Sequence, residues 1–284
     1  QVKFFFKKLL PSIFSSGVTQ INILVGTIIA SFQTGAVSYL YYADRIYQIN
    51  LAIAGIAVGT VSLPVLSQAF KQKNLTKVSS IQNKSIELSL LLSLPASLGL
   101  IIASEEIING LFGYGSFSTT DVDKTSSALI YFGYGIIAFA LVKILANFFF
   151  AQNNTKTPFY ISSFIVFLNI FISVSFFSRM GFLIIPIATS ISTWVGVFIY
   201  LFFLKKKNFL FLKKKLFNTI FKIITASLVM SSVLIYCLSK FATFFDYYND
   251  FKSIYLIIIV GFAAIIYLIS CFLKVLLKIK NYKT

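Results

Sequence analysis

The chain has 284 residues, of which 58% are hydrophobic and 12% charged, and its mean hydropathy is +0.88. A soluble domain carries about 25% charged residues, so this composition excludes a soluble globular protein and favours repeated membrane helices. The net charge of +17 does not indicate nucleic acid binding, because the lysines cluster at the ends of apolar runs. They are typical of topology determinants, with a secondary role in binding anionic lipid headgroups left open.

The pattern predicts an all-α polytopic membrane protein with about eight transmembrane helices. The predicted spans cover about 9–32, 38–70, 78–103, 125–150, 158–177, 182–204, 217–239 and 253–273. The second span is too long for one straight crossing, and Gly55, Gly59 and Pro64 give it places to bend. Because the chain begins with Gln1 rather than methionine, we interpret it as a fragment cut at its N-terminal side.

The basic segment 205–216 divides the predicted spans into a six-helix lobe (1–204) and two additional helices with a basic tail (217–284). Its short apolar centre is flanked by lysines, which fits an interfacial segment on an anionic leaflet or a solvated hinge. If the first span starts inside, most of the 25 basic residues fall on the cytoplasmic side. The positive-inside rule therefore predicts that both ends of the chain are cytoplasmic.

Arg45 is the most informative residue, because a guanidinium at membrane depth usually faces a water-filled cavity or a partner charge. Tyr41 and Gln48 lie four residues before it and three after it, so they share its helical face, whereas Asp44 points about 100° away. Arg45 also lies roughly 10 Å into its span, so snorkelling to the headgroups is the alternative. Lys143 in the fourth span offers the same two interpretations. Asp44 is either an acid in a first helical turn or the partner of a distant charge.

The sequence shows no Ser–His pairing, metal cluster or intramembrane carboxylate pair, so an enzyme is not predicted and no cofactor is expected. Transport or a structural scaffold remains.

Several segments together resemble the MurJ (MviN) family, the lipid II flippases of bacterial cell-wall synthesis, within the multidrug/oligosaccharidyl-lipid/polysaccharide exporter superfamily. They are 30–32, 35–45, 55–60 with 63–67, 111–117, 142–146 and 156–158, and their order and spacing match across nearly the whole chain. The most specific is the tyrosine-rich run that ends in Asp44-Arg45, followed by Gly55-x-x-x-Gly59-Thr60.

The resemblance implies two six-helix lobes around a central cavity, followed by two extra helices. This chain corresponds to the second lobe with those two helices, so the N-terminal lobe is a missing partner. The family's cavity arginine falls on Arg45, and Gln48 stands where a glutamate often occurs. Some family members bind sodium with an acidic residue in the first span of this lobe, and the corresponding position here is Gly26, which has no ligand side chain. Asn169 matches an asparagine of that sodium site. The resemblance therefore leaves the coupling ion unassigned.

These observations predict the flipping of a lipid-linked diphosphate, the peptidoglycan precursor lipid II, across the bacterial cytoplasmic membrane by alternating access. The predicted substrate-binding residues are Arg45, Asp44, Gln48, Tyr41 and Lys143, and the predicted ion-binding residue is Asn169. The alternatives are a related exporter of another polyprenyl-linked glycan or a non-transport membrane scaffold. Partners beyond the substrate are membrane lipids and the absent lobe, with no nucleic acid.

Overall fold

The computed structural model describes the backbone of residues 20–280 and the side chains of residues 20–271, and all regular structure in this part is helical. The α-helices are α1 (Gln20–Ser31), α2 (Ala36–Leu51), α3 (Val58–Lys71), α4 (Leu75–Ile102), α5 (Ser104–Phe112), α6 (Thr119–Phe150), α7 (Lys156–Met180), α8 (Ile184–Lys206), α9 (Lys214–Lys240) and α10 (Lys252–Lys280). A π-helix (Ala52–Ala57) joins α2 to α3, and short 3₁₀ turns lie at Gly181–Leu183 and Ala242–Phe245.

The predicted class is confirmed: the described part of the chain is helical throughout its regular structure, with 6 stretches long and apolar enough to cross a membrane. One of them, Lys156–Lys206, holds both α7 and α8, which reverse at Gly181. Gly181 has a φ of +60°, and a Cβ there would lie 2.7 Å from Gln33 Oε1, so the turn requires glycine. The predicted first span is described only from Gln20 onward, and the part from 9 to 19 lies outside the described residues.

Several helices begin earlier than hydropathy predicted, and polar side chains cap two of them, α4 and α6. At the start of α4, Asn74 Oδ1 accepts a hydrogen bond from the Lys77 amide at 2.9 Å. At the start of α6, Ser118 and Asp121 form a capping box. These caps satisfy amides that the first helical turn leaves unpaired, and they extend both helices beyond their apolar runs.

Helix α6 lies at the centre of the lobe, packed against α2, α4 and α8. Small residues allow these close approaches. Ser97 on α4 donates a hydrogen bond to the Gly133 carbonyl at 2.8 Å, and Ser190 on α8 donates to the Tyr131 carbonyl at 2.6 Å. Contacts between small residues and interhelical hydrogen bonds are the usual cohesive forces between membrane helices.

The long second span stays helical but changes form at the π-helix, which includes one of the three positions where the sequence allowed a bend. A Cβ on Gly55 would lie 3.2 Å from the Ala140 Cα on α6, so the two backbones nearly touch there. Asn147 on α6 donates to the Gly59 carbonyl at 2.8 Å. Pro64, by contrast, lies inside α3. The junction of α2 and α3 is therefore fixed against α6.

The basic linker 205–216 is anchored to α4 by two buried amide side chains. Gln82 donates to the Phe209 carbonyl at 2.9 Å, and Asn83 accepts from the Lys213 amide at 2.9 Å. The side chains of Phe209 and Phe211 pack against the hydrophobic core of the lobe. The apolar centre of the linker is thus held against the protein, while the lysines on both sides of it are exposed.

The helical hairpin of α9 and α10 is attached to the lobe at its opposite end by a buried lysine. Lys252 Nζ donates to the carbonyls of Gly113 and Tyr247, each at 2.6 Å, and lies 4.3 Å from the Tyr114 ring centroid and 4.6 Å from that of Tyr247. We call these four residues the Lys252 clamp. Beside it, Asn109 on α5 donates to a carbonyl of the α9–α10 connection at 2.8 Å. The hairpin is therefore joined to the lobe near both ends of α9.

Candidate functional site

The orientation of α2 determines which side chains it exposes. Its buried side carries Tyr47, whose ring stacks on Phe132 of α6 with centroids 5.2 Å apart. Nearer its start, Tyr39 donates a hydrogen bond to Asp121 Oδ1 at 2.9 Å. These two contacts fix the helix in rotation, and Arg45 lies on the exposed side. The sequence resemblance included Tyr39 but did not identify its partner, which lies 82 residues later in the chain.

The Arg45 guanidinium is oriented by an aromatic ring rather than by a carboxylate. Its Cζ atom lies 4.5 Å from the ring centroid of Tyr41, one helical turn earlier. This contact stabilises a cation through the face of the ring and leaves the N–H donors free. Among the side chains of residues 20–271, none accepts a hydrogen bond from Arg45 or forms an ion pair with it. The donors are therefore available to a ligand.

Asp44 and Gln48 form a second pair on α2. Gln48 Nε2 donates to the Asp44 carboxylate, which is half-buried. Asp44 is therefore engaged by an amide rather than by Arg45, in keeping with the angular separation expected from the sequence. Gln48 is itself exposed and lies three residues after Arg45 on the same helical face.

Lys143 is exposed on α6, but the structure does not place it beside Arg45. It lies between Ala140 and Asn147, which contact Gly55 and Gly59 respectively. Gly55 and Gly59 lie ten and fourteen residues after Arg45 in the second span, which corresponds to a distance of roughly 15–21 Å along the helix. The predicted substrate-binding residues therefore divide into a compact group on α2 and one distant lysine.

Asn169 occupies a buried, neutral hydrogen-bond cluster between α7 and α8. Its amide donates to Thr189 Oγ1 at 2.8 Å, and its carbonyl accepts from Ser173 Oγ at 3.2 Å. Thr189 Oγ1 in turn donates to the Ile185 carbonyl at 2.7 Å. Every contact pairs one neutral group with another, so the helices are joined without a charge.

A sodium ion does not fit this cluster well. A hard cation favours oxygen ligands that include carboxylates. A side chain at Gly26 would start 3.7 Å from Ile185, but glycine supplies no oxygen there. The described residues contain no group of three or more His, Cys, Asp or Glu side chains that could hold a metal ion. The observed contacts of Asn169 join α7 to α8, and its ion-binding role stays a prediction.

The fold and the exposed arginine define a multi-pass helical membrane protein of the transporter class. The sequence profile described as "Lipid II flippase MurJ" matches residues 1–256. The chain therefore belongs to the lipid II flippase MurJ family, which is a family of transporters rather than enzymes.

Named relatives agree with this assignment. The probable lipid II flippase MurJ of Rhizobium meliloti (strain 1021) is 40% identical over 187 residues, which is 66% of this chain and 35% of the relative. That of Vibrio cholerae serotype O1 (strain ATCC 39315 / El Tor Inaba N16961) is 30% identical over 261 residues, which is 92% of this chain and 50% of the relative. The chain thus spans no more than about half the length of these two relatives.

Solved structures extend the match to the fold. Lipid II flippase MurJ in an inward closed conformation aligns with a TM-score of 0.79 and 28% identity, covering 95% of this chain and 54% of that one. An outward-facing MATE family multidrug resistance transporter of the MOP superfamily aligns with a TM-score of 0.61 and 17% identity, covering 92% of this chain and 61% of that one. The second match concerns the fold alone.

Proposed function

We propose that this chain forms the second six-helix lobe, with two additional helices, of a lipid II flippase in the bacterial cytoplasmic membrane. Family membership supports the substrate class. The observation that carries the proposal is the exposed Arg45 guanidinium, which is oriented by Tyr41 and free of any described protein acceptor.

The chemistry of the substrate explains why an arginine is suitable. A diphosphate attached to a bulky polar head cannot cross hydrocarbon without compensation for its charge. A guanidinium presents donors in a planar fork that matches phosphate oxygens two at a time. Asp44, the nearest carboxylate on α2, is hydrogen-bonded to Gln48 and does not accept a hydrogen bond from Arg45.

A cationic face open to lipid is unfavourable, so the proposal requires a second lobe that closes a water-filled cavity over Arg45. The relatives are about twice as long as this chain, which supplies room for such a lobe. Rocking of the two lobes would then expose the site first to one side of the membrane and then to the other.

The loop lysines support an orientation with both chain ends in the cytoplasm. Single cysteines at Ser116 and Asn208, both exposed, test it in a background lacking Cys237 and Cys271. We expect an impermeant thiol reagent added outside cells to label the cysteine at 116 and not the one at 208. Labelling of both from the same side would contradict the orientation.

The proposal is tested in a strain depleted of its own lipid II flippase. The chain is expressed alone, and with the N-terminal half of the Vibrio cholerae relative. We expect growth only with both halves. In that pair, Arg45→Ala should abolish growth while the protein still inserts. Arg45→Lys should restore little, because a point charge does not reproduce the planar fork.

Arg179→Ala is the matched control, because it removes the chain's other arginine from an exposed position near the end of α7. We expect this variant to support growth. Growth of the Arg45→Ala pair would eliminate the phosphate-binding role and favour a scaffold. Growth with the chain alone would favour two copies that form a symmetric transporter. A working pair that transports a different polyprenyl-linked glycan would identify a related exporter.

A further inference from the structure

An open apolar groove lies between α7 and α8, on a different pair of helices from Arg45. Its volume is about 500 Å³. The lining side chains are Phe164, Val195, Phe198, Ile199, Phe202 and Phe203. No polar side chain lines the groove, so its walls suit hydrocarbon.

The two helices approach closely at the residues next to Phe164 and Val195, which line the groove. A Cβ on Gly196 of α8 would lie 2.3 Å from Ile165 Cδ1 of α7, so the isoleucine occupies the place where a larger residue would project. Phe164 and Phe198 are both exposed at the opening.

The helical stripes that form the groove walls both continue to a lysine. On α8, Phe202 is followed four residues later by Lys206, which ends the helix. On α7, Phe164 is preceded four residues earlier by Tyr160 and eight residues earlier by Lys156, which begins the helix. Residues at these spacings share one helical face. Because α7 and α8 are antiparallel neighbours, both lysines lie at the same end of the groove, and both are exposed.

We propose that this groove, with Lys156 and Lys206 at its mouth, binds one glycerophospholipid that carries a net negative headgroup. The stretch from Val195 to Lys206 is about 16 Å long, which is close to half of a ~30 Å hydrocarbon core and therefore to the depth of one leaflet. One acyl chain lies in the groove and the phosphate lies between the two ammonium groups. Tyr160 stands at the level where aromatic side chains meet headgroups.

The pairing of charge with groove distinguishes this site from the other lysines of the chain. Lys214 and Lys215 are also exposed and lie across the linker at the same side of the membrane. Neither of them lies on the helices that border this groove. They attract anionic lipid without holding a chain, whereas Lys156 and Lys206 combine both contacts. The proposal does not depend on flipping activity.

The chain contains a single tryptophan, which makes the test direct. Trp194 precedes Val195, and its ring centroid lies 6.4 Å from that of Phe198. The purified chain is reconstituted in phosphatidylcholine vesicles of two kinds. One kind contains a small fraction of brominated phosphatidylglycerol, and the other contains the same fraction of brominated phosphatidylcholine. Bromine quenches tryptophan fluorescence on contact, so quenching reports occupancy of the groove.

We expect brominated phosphatidylglycerol to occupy the groove on the order of tenfold more strongly than brominated phosphatidylcholine, because each lysine favours an anionic headgroup. The double variant Lys156→Gln/Lys206→Gln should bring the two lipids to near parity. Lys214→Gln/Lys215→Gln, which removes the same charge from the same side, should retain the preference.

Equal quenching by the two lipids in the unaltered chain would overturn the proposal. The same loss of preference in both double variants would also overturn it, because the effect would then be general surface electrostatics. Unbrominated competitors separate the site from a substrate path. If a polyprenyl diphosphate relieves the quenching and phosphatidylglycerol does not, the groove belongs to the transported lipid and the proposal fails.

Discussion

Arg45 and Lys252 are both cations in helices that otherwise consist largely of apolar residues, yet their surroundings are opposite. Lys252 is fully buried, with two carbonyl oxygens at 2.6 Å and two aromatic rings within 4.6 Å. Arg45 is exposed and contacts one ring at 4.5 Å. The first cation is satisfied by the protein, whereas the second has free donors on an exposed face.

The difference separates a structural charge from one available to a ligand. A buried ammonium that already has its acceptors stabilises the segments that supply them, here the end of α5 and the connection between α9 and α10. An exposed guanidinium contributes little to folding and retains its capacity to bind a phosphate. Arg45 lies within α2 and Lys252 begins α10, and neither position in the sequence reveals the contacts that the cation makes.

The largest expected effect is on the free energy of unfolding, which should fall when Lys252 is replaced but not when Arg45 is replaced. Lys252→Met keeps the length of the side chain but leaves two carbonyls without a donor, so we expect a loss of about 3 kcal/mol in the free energy of unfolding. Arg45→Ala should change it by no more than about 0.5 kcal/mol. The measurement is the midpoint temperature at which a fluorogenic thiol dye labels the purified chain on heating, in a background without the partly exposed Cys271, because Cys237 is buried on α9.

A matched variant for this experiment is Lys240→Met, which removes an exposed lysine from the end of α9. It should leave the labelling midpoint unchanged. A fall in the midpoint for Arg45→Ala as large as that for Lys252→Met would break the distinction between the structural and the available cation.

A smaller loss of stability is expected when a buried neutral group, rather than a buried cation, is removed. Asn169→Ala removes the amide that joins Ser173 to Thr189, and we expect a loss of about 1–3 kcal/mol. Ser173→Ala removes one of these two bonds and should cost less. Because the cluster contains no charge, the midpoint of the unaltered chain should be the same in sodium and in choline salts. A rise specific to sodium would show that the cluster binds the ion.

Local pattern was sufficient for much of the fold. The apolar runs predicted the membrane helices, because hydrocarbon requires long helical segments whose backbone groups pair internally. The contact of Tyr41 with Arg45 was also expected, since residues four apart share a helical face. These features depend on spacing within one helix.

Contacts between distant parts of the chain were not predictable in this way. Lys252 falls just outside the predicted span 253–273, and its contact with Gly113 joins residues 139 positions apart. The sequence contains no local signal for that contact. Asn147 is similar, because its bond to the Gly59 carbonyl depends on how α6 meets the π-helix. An amide in an apolar run indicates that a partner exists but not which one it is.

The π-helix between α2 and α3 also affects the phase of the second span. A π-helical turn contains about one residue more than an α-helical turn, so the side chains beyond it are rotated by roughly 100° relative to an uninterrupted helix. The stripe that carries Tyr41 and Arg45 therefore does not continue along α3. One crossing of the membrane presents two separate faces, one bearing the free guanidinium and the other packed against α4 and α6.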